Sequence, residues 1–130
     1  MKIVIVSPSR QHLKDIGDAV QDWGHQALRV EGGKTQLRGI VERENPDLLL
    51  TDGMCCDVAD LHPVEFVTTH YPRTAVILMC SSQSHEYLLQ AMRAGVREVL
   101  PSPVGLDALK EAVQRVAVKM SASAGPRSAQ

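Results

Sequence analysis

Three stretches of this chain carry an unbroken apolar run: "KIVIV" at the start, "DLLLTD" from Asp47, and "TAVILMC" from Thr74. A strand with one face in water alternates apolar and polar residues. A run without alternation is buried on both faces, the condition of a parallel sheet covered by helices. Between the runs lie stripes of helical period. Leu13, Ile16, Val20 and Trp23 form the first, with Ser9 as N-cap and Gly24 as its stop. Leu37, Ile40 and Val41 mark a second helix, which must end before Pro46. Leu61, Val64 and Val67 mark a third, and Tyr87 or Leu88 with Ala91 and Met92 a fourth, ended by Gly95. Leu106, Leu109, Val113 and Val116 form the stripe of a fifth, with Asp107 in its first turn suiting the helix dipole. "HQALRV" and "VREVL" supply two weaker strands. The β-α unit thus occurs five times, which predicts an α/β fold: a five-stranded open parallel sheet with helices on both faces.

The 130 residues suit one domain, and 44% hydrophobic residues can fill its core. The closing "SASAGPRSAQ" has no periodicity. The expected division is therefore a domain over 1–120 and a flexible tail or inter-domain linker over 121–130. A net charge of -1 argues against direct nucleic-acid binding. No apolar run approaches the roughly 20 residues needed to span a bilayer. The chain enters a strand pattern at once, leaving no room for a signal peptide, so the expectation is a cytoplasmic protein without membrane insertion. Cys55, Cys56 and Cys80 form neither a disulfide framework nor a CxxC motif and are expected as reduced thiols.

Open parallel sheets bind ligands beyond the C-terminal ends of their strands, near the point where strand order reverses. Ser7 and Pro8 arrive there from the first strand, Asp52 and Gly53 from the third, Cys80 and Ser81 from the fourth, and Ser102 and Pro103 after the fifth. Of these only Asp52 is ionisable at neutral pH. One carboxylate is a thin site for magnesium, and nothing aims Asp57 or Asp60 toward it. No lysine arrives to neutralise a phosphoryl group. Two readings of Asp52 stand side by side: a phosphoryl acceptor, or a buried acceptor of hydrogen bonds from facing loop N–H groups. Neither a GxGxxG nor a GxxxxGK[ST] motif is present, and no cofactor is implied. "GG" at Gly32 and Gly33 reads as a turn opening the second helix. The five histidines are scattered over separate elements, and Ser7 has no evident histidine partner for nucleophilic chemistry.

"PDLLLTDG" followed by an apolar strand and then "AMRAGVREVLPSP" resembles the receiver domain of two-component response regulators. The resemblance runs over about residues 2 to 118 and implies a flavodoxin-like, CheY-like (βα)5 three-layer sandwich. It places the phospho-accepting aspartate at Asp52. The family's magnesium-holding acidic pair is replaced by Ser7 and Pro8, and its lysine by Ser102. Cys80 stands at its threonine or serine, with Ser81 one place later, and Val99 at its switch aromatic. Pro103 matches its proline, which implies a cis peptide bond before that residue. "YLLQAMRAGVREVLPSPV" is similar to the amino-terminal atypical receiver of CpaE/TadZ proteins of Flp and tight-adherence pili. That likeness implies pilus or secretion machinery as partners, a ParA/MinD-like ATPase domain after the tail, and recruitment to a cell pole.

Together these features describe a non-catalytic interaction and localisation module. The alternative is a response-regulator receiver phosphorylated on Asp52. The expected docking face joins the fourth helix, fifth strand and fifth helix. It presents Arg93, Arg97, Glu98, Asp107, Lys110 and Glu111, charges of both signs for a two-fold homodimer contact. Tyr87 and Leu89 are the expected apolar anchors, because a helix cannot bury three consecutive side chains against one sheet.

Overall fold

The computed structural model describes residues 1–32, 36–54, 61–80, 84–101 and 105–124. Strands β1 (Lys2–Ser7), β2 (Gln26–Glu31), β3 (Leu48–Met54), β4 (Ala75–Cys80) and β5 (Glu98–Pro101) alternate with helices α1 (Arg10–Asp22), α2 (Leu37–Glu44), α3 (His62–His70), α4 (His85–Arg93) and α5 (Leu106–Ala124). All strand pairs are parallel, and the sheet order is β2-β1-β3-β4-β5. The order reverses between β1 and β3, so the β1/β3 edge is the switch point where such sheets place their sites.

The period of two divides each strand between two cores. Ile3, Ile5, Leu48, Leu50, Ile77 and Met79 face α1 and α5, where they meet Leu13, Ile16, Val20, Leu109, Val113 and Val116. Val4, Val6, Leu49, Val76, Leu78 and Cys80 face α2, α3 and α4. The expected three layers are therefore present, and the unalternating runs are the strands covered on both sides.

Local signals set the helix ends. Ser9 is extended and its side chain accepts from the His12 N–H, capping α1. Gly24 and Gly95 adopt φ of 90° and 91° after α1 and α4. A Cβ on Gly95 would come within 2.9 Å of Thr68, so that turn needs glycine for space as well as for backbone angle. Asn45 closes α2 in the left-handed conformation, directly before Pro46.

Several expectations change. Tyr87 is not an outward anchor: it is fully buried in the core beneath α4, while Leu89 is 45% exposed. Tyr87 is in the first turn of α4, where its side chain leans back over the sheet. Met92 is 56% exposed and leaves the buried stripe. Leu106, the first residue of α5, is 43% exposed because its helix begins before covering the sheet. Helix α5 continues to Ala124, past the boundary expected near Met120. Glu98 is not a free charge of the docking face. It takes a bidentate pair from Arg115, with Nε and Nη2 each 2.7 Å from a carboxylate oxygen.

The Arg115 hydrogen bonds hold the Glu98 carboxyl below its ordinary pKa, against the opposing effect of burial. A depressed folded pKa means that the pair's contribution is present above the unfolded pKa and is lost as pH falls through the folded one. Arg115→Gln should therefore lower the urea midpoint at pH 7, and its deficit should shrink below the carboxylate range. Urea titrations at pH 7 and in acid check this, and an equal deficit at both would refute it.

Candidate functional site

The register of β1 on β3 pairs Ile3 with Leu48, Ile5 with Leu50 and Val6 with Thr51. One further step sets Ser7 beside Asp52, both on the α1/α5 face. Both are buried, Ser7 at 0% and Asp52 at 5% exposure. The Ser7 hydroxyl donates to Asp52 Oδ2 at 2.9 Å. Ser7 Oγ in turn accepts from the Ser9 N–H at 3.0 Å. The β3–β4 register shifts between Thr51 and Met54, an irregularity that falls on the site.

A second side chain reaches the same oxygen. His12 Nδ1 is 2.6 Å from Asp52 Oδ2. Ser9 is the N-cap, so His12 is the third helical residue of α1. Side chains in a first turn lean toward the helix N-terminus, here toward the C-terminal edge of the sheet. An ionised carboxylate only accepts, so Nδ1 carries the proton in this contact. The result is a connected chain of donors, from Ser9 N–H to the Ser7 hydroxyl to Asp52, closed from the helix side by His12. Such chains strengthen one another in a low-dielectric interior.

Beside it a cavity of about 470 Å³ opens between α1 and α5, lined among others by His12, Asp15, Asp18, Asp22, Asp52 and Leu106. Its walls are acidic, although Asp18 is paired with Arg29 at 2.7 Å. Among the described residues no group of three or more His, Cys, Asp or Glu side chains is arranged to hold a metal ion. The magnesium implied by the resemblance does not fit the described residues. Ser7 and Pro8 bring no charge, and the Asp52 oxygen facing them is engaged by a hydroxyl and an imidazole.

The sequence-derived site residues divide as follows. Ser7 and Asp52 are brought into contact, Pro8 is exposed at the bend after β1, and Cys80 is buried at the end of β4. Ser81, Ser102 and Pro103, with the peptide bond before Pro103, lie outside the described residues. So do Gly33, Cys55, Cys56, Asp57 and Asp60. Asp52 takes side-chain donors that the loop N–H reading did not include, and Ser7 and His12 meet at the Asp52 oxygen they share. The residue that the sequence reading missed is His12. Its position three residues after the N-cap serine was the available signal. Of the docking-face charges, Arg93, Arg97, Asp107, Lys110 and Glu111 are exposed.

A five-stranded parallel sheet in this order, with an aspartate at the end of β3, is the arrangement found in receiver domains. The chain belongs to the response-regulator receiver family, and pilus-assembly proteins of the CpaE type are among its structural neighbours. A pilus assembly-related protein of Burkholderia pseudomallei is 31% identical, with a TM-score of 0.80 over 91% of this chain and 90% of its own. The pilus assembly protein CpaE of Burkholderia thailandensis is 32% identical, with a TM-score of 0.77 over 91% and 98%. A CheY-like receiver domain of Methanospirillum hungatei shares the fold at 17% identity and a TM-score of 0.82, covering 94% and 97%. Among curated proteins, the response regulator PilR of Pseudomonas aeruginosa is 33% identical over 78 residues, 60% of this chain and 18% of PilR. The transcriptional regulatory protein DpiA of Escherichia coli is 29% identical over 93 residues, 71% of this chain and 41% of DpiA. The chain thus spans less than half of either curated relative. No family model matches the sequence.

Removing the Ser7 hydroxyl takes a donor from a buried carboxylate and an acceptor from the Ser9 N–H. Ser7→Ala should cost about 1–3 kcal/mol, the range for leaving a buried polar partner unsatisfied. Urea unfolding at neutral pH measures it, and a neutral effect would mean that the relay does not hold the site.

Proposed function

We propose that the chain is a receiver-fold docking module of pilus assembly, working through protein contacts and without phosphoryl chemistry at Asp52. The observation that carries this reading is the buried carboxylate of Asp52, held by Ser7 and His12 where a phosphorylatable receiver needs metal and access. The two pilus-assembly neighbours, the only comparisons described above that combine identity over 30% with near-full coverage, supply the cellular context. In this reading the module has no enzymatic activity of its own, acts beside pilus or secretion machinery, and in a longer chain precedes a ParA/MinD-like ATPase domain. Polar recruitment follows from the same resemblance. No helix among the described residues is long and apolar enough to cross a membrane, which fits a module that works by docking.

The chemistry is tested directly. Incubation with magnesium and an acyl phosphate, followed by acid quench and intact mass, should show no adduct. A stoichiometric phosphoryl adduct that disappears in Asp52→Asn would establish the alternative, a phosphorylated response-regulator receiver.

The docking partner in this reading is a second copy, meeting α4, β5 and α5. Exposed ion pairs are worth only about 0–1 kcal/mol each, so apolar burial must supply affinity. Leu89 and Met92 are the exposed apolar side chains on α4, with Arg93 beside them. Tyr87 and Glu98 are withdrawn from that role by the core and by Arg115. Sedimentation over a micromolar range should show a dimer, and Leu89→Arg a folded monomer. A wild type that stays monomeric would assign the face to a different protein.

A further inference from the structure

We propose that the cavity between the C-terminal ends of α3 and α4 is an oxyanion site, which takes a phosphate or carboxylate group on Arg93 and Arg97. It lies where β4 and β5 begin, whereas Asp52 lies where β3 ends, so it stands apart from the reading of that residue.

The arginines of this chain point to the place. Among the described residues, Arg10, Arg29, Arg43 and Arg115 are each paired with a carboxylate, at 3.0, 2.7, 3.2 and 2.7 Å. Arg38 lies over the Phe66 ring, 4.5 Å from its centroid. Arg73, Arg93 and Arg97 have no ion pair or ring contact among the described residues. All of these gather at one cavity of about 390 Å³. Arg93 and Arg97 line it together with Glu65 and Thr69, and Arg73 stands in the chain between two further lining residues, Pro72 and Thr74.

Arginines near helix C-termini commonly serve the last carbonyls. Here those carbonyls are already taken. The N–H groups of Ala94, Gly95 and Val96 donate to the carbonyls of Gln90, Met92 and Ala91 at 2.9, 3.1 and 3.2 Å, and the Thr68 hydroxyl donates to that of Ala94. At the end of α3 the Val67 carbonyl accepts from the Tyr71 N–H at 2.8 Å. The two guanidinium groups therefore have no capping duty. The frame around them is fixed. Gly95, at φ 91°, lets the chain turn closely against Thr68. The Arg97 N–H donates to Val76 O at 2.9 Å, and the buried Thr74 hydroxyl to Pro46 O at 2.7 Å. Glu65 is the one acid in the described lining, so Arg93 and Arg97 leave the cavity net positive. A guanidinium fork matches two oxygens of a carboxylate or phosphate, and the Thr69 hydroxyl adds a neutral donor.

The test titrates the chain with inorganic phosphate and, separately, with a glutamate-rich peptide, following backbone amide signals at constant ionic strength. Saturable shifts should centre on Thr69, Arg73, Gly95 and Arg97. Arg93→Gln and Arg97→Gln should each weaken binding about fivefold, the scale of one exposed charged contact. Glu65→Gln should tighten it. Arg10→Gln removes a paired arginine elsewhere and should leave it unchanged. Saturation by phosphate alone supports a site for free phosphate, and saturation by the peptide alone supports one for an acidic segment of a partner. If neither ligand shifts these signals, the proposal is overturned. An equal loss in Arg10→Gln also overturns it, because the attraction would then be one of overall charge. The substituted side chains are exposed, and the wild-type shift map decides by itself should a variant not fold.

Discussion

A carboxylate buried at the end of a central strand has to be answered by donors, because an unpaired ionised group in the interior costs several kcal/mol or more. In this chain the answer comes from inside the fold. Ser7 on β1 and His12 on α1 both reach one oxygen of Asp52 on β3. The three elements that meet at the switch point of the sheet are thereby fastened to one side chain. Asp52 serves as a joint between strand and helix, and a joint of this kind resists the opening that exchange of ligands requires.

The sheet makes that joint possible. Because β1 and β3 are covered on both faces, their register is fixed by which residues enter which core. Ile3, Ile5, Leu48 and Leu50 belong to the α1/α5 side, and the same alternation delivers Ser7 and Asp52 to that side. A slip of one residue would send both polar groups toward Val64 and Tyr87, where no such relay is available. The apolar pattern and the polar relay therefore specify the same register. Agreement between levels of this kind marks a sequence that encodes one structure.

Much of this was legible in the chain. Unalternating runs gave strands, helical stripes gave their covering layers, and Ser9, Gly24, Pro46 and Gly95 marked the boundaries. Asp52 and Ser7 were recognisable as residues delivered to the strand ends. Their partner His12 was harder to see, because a histidine one turn into a helix reads as a surface residue unless the lean of first-turn side chains is considered. The Glu98–Arg115 pair joins residues 17 apart through the packing of α5 on the sheet edge, which periodicity does not describe. Tyr87 was misplaced for a related reason. Three consecutive candidates, Tyr87, Leu88 and Leu89, satisfy the same stripe until the phase of α4 against β4 is known. The large ring took the buried position and left Leu89 outside.

In a receiver that signals through its acceptor, chemistry at the end of β3 must reach the outer face of α4 and α5. That requires an element with two arrangements which the chemistry biases. Here the acceptor is bonded to β1 and α1, on the side of the sheet opposite α4. The residue matched to the family's switch aromatic is Val99, which has no hydroxyl to exchange partners. The large aromatic of α4, Tyr87, is locked into the core. Among the described residues, Tyr87 is thus packing, and Val99 packs against the same core. In the proposed docking module this is a gain: a face that does not wait for phosphorylation presents Leu89 and Met92 continuously, and its occupancy follows from the concentration of its partner.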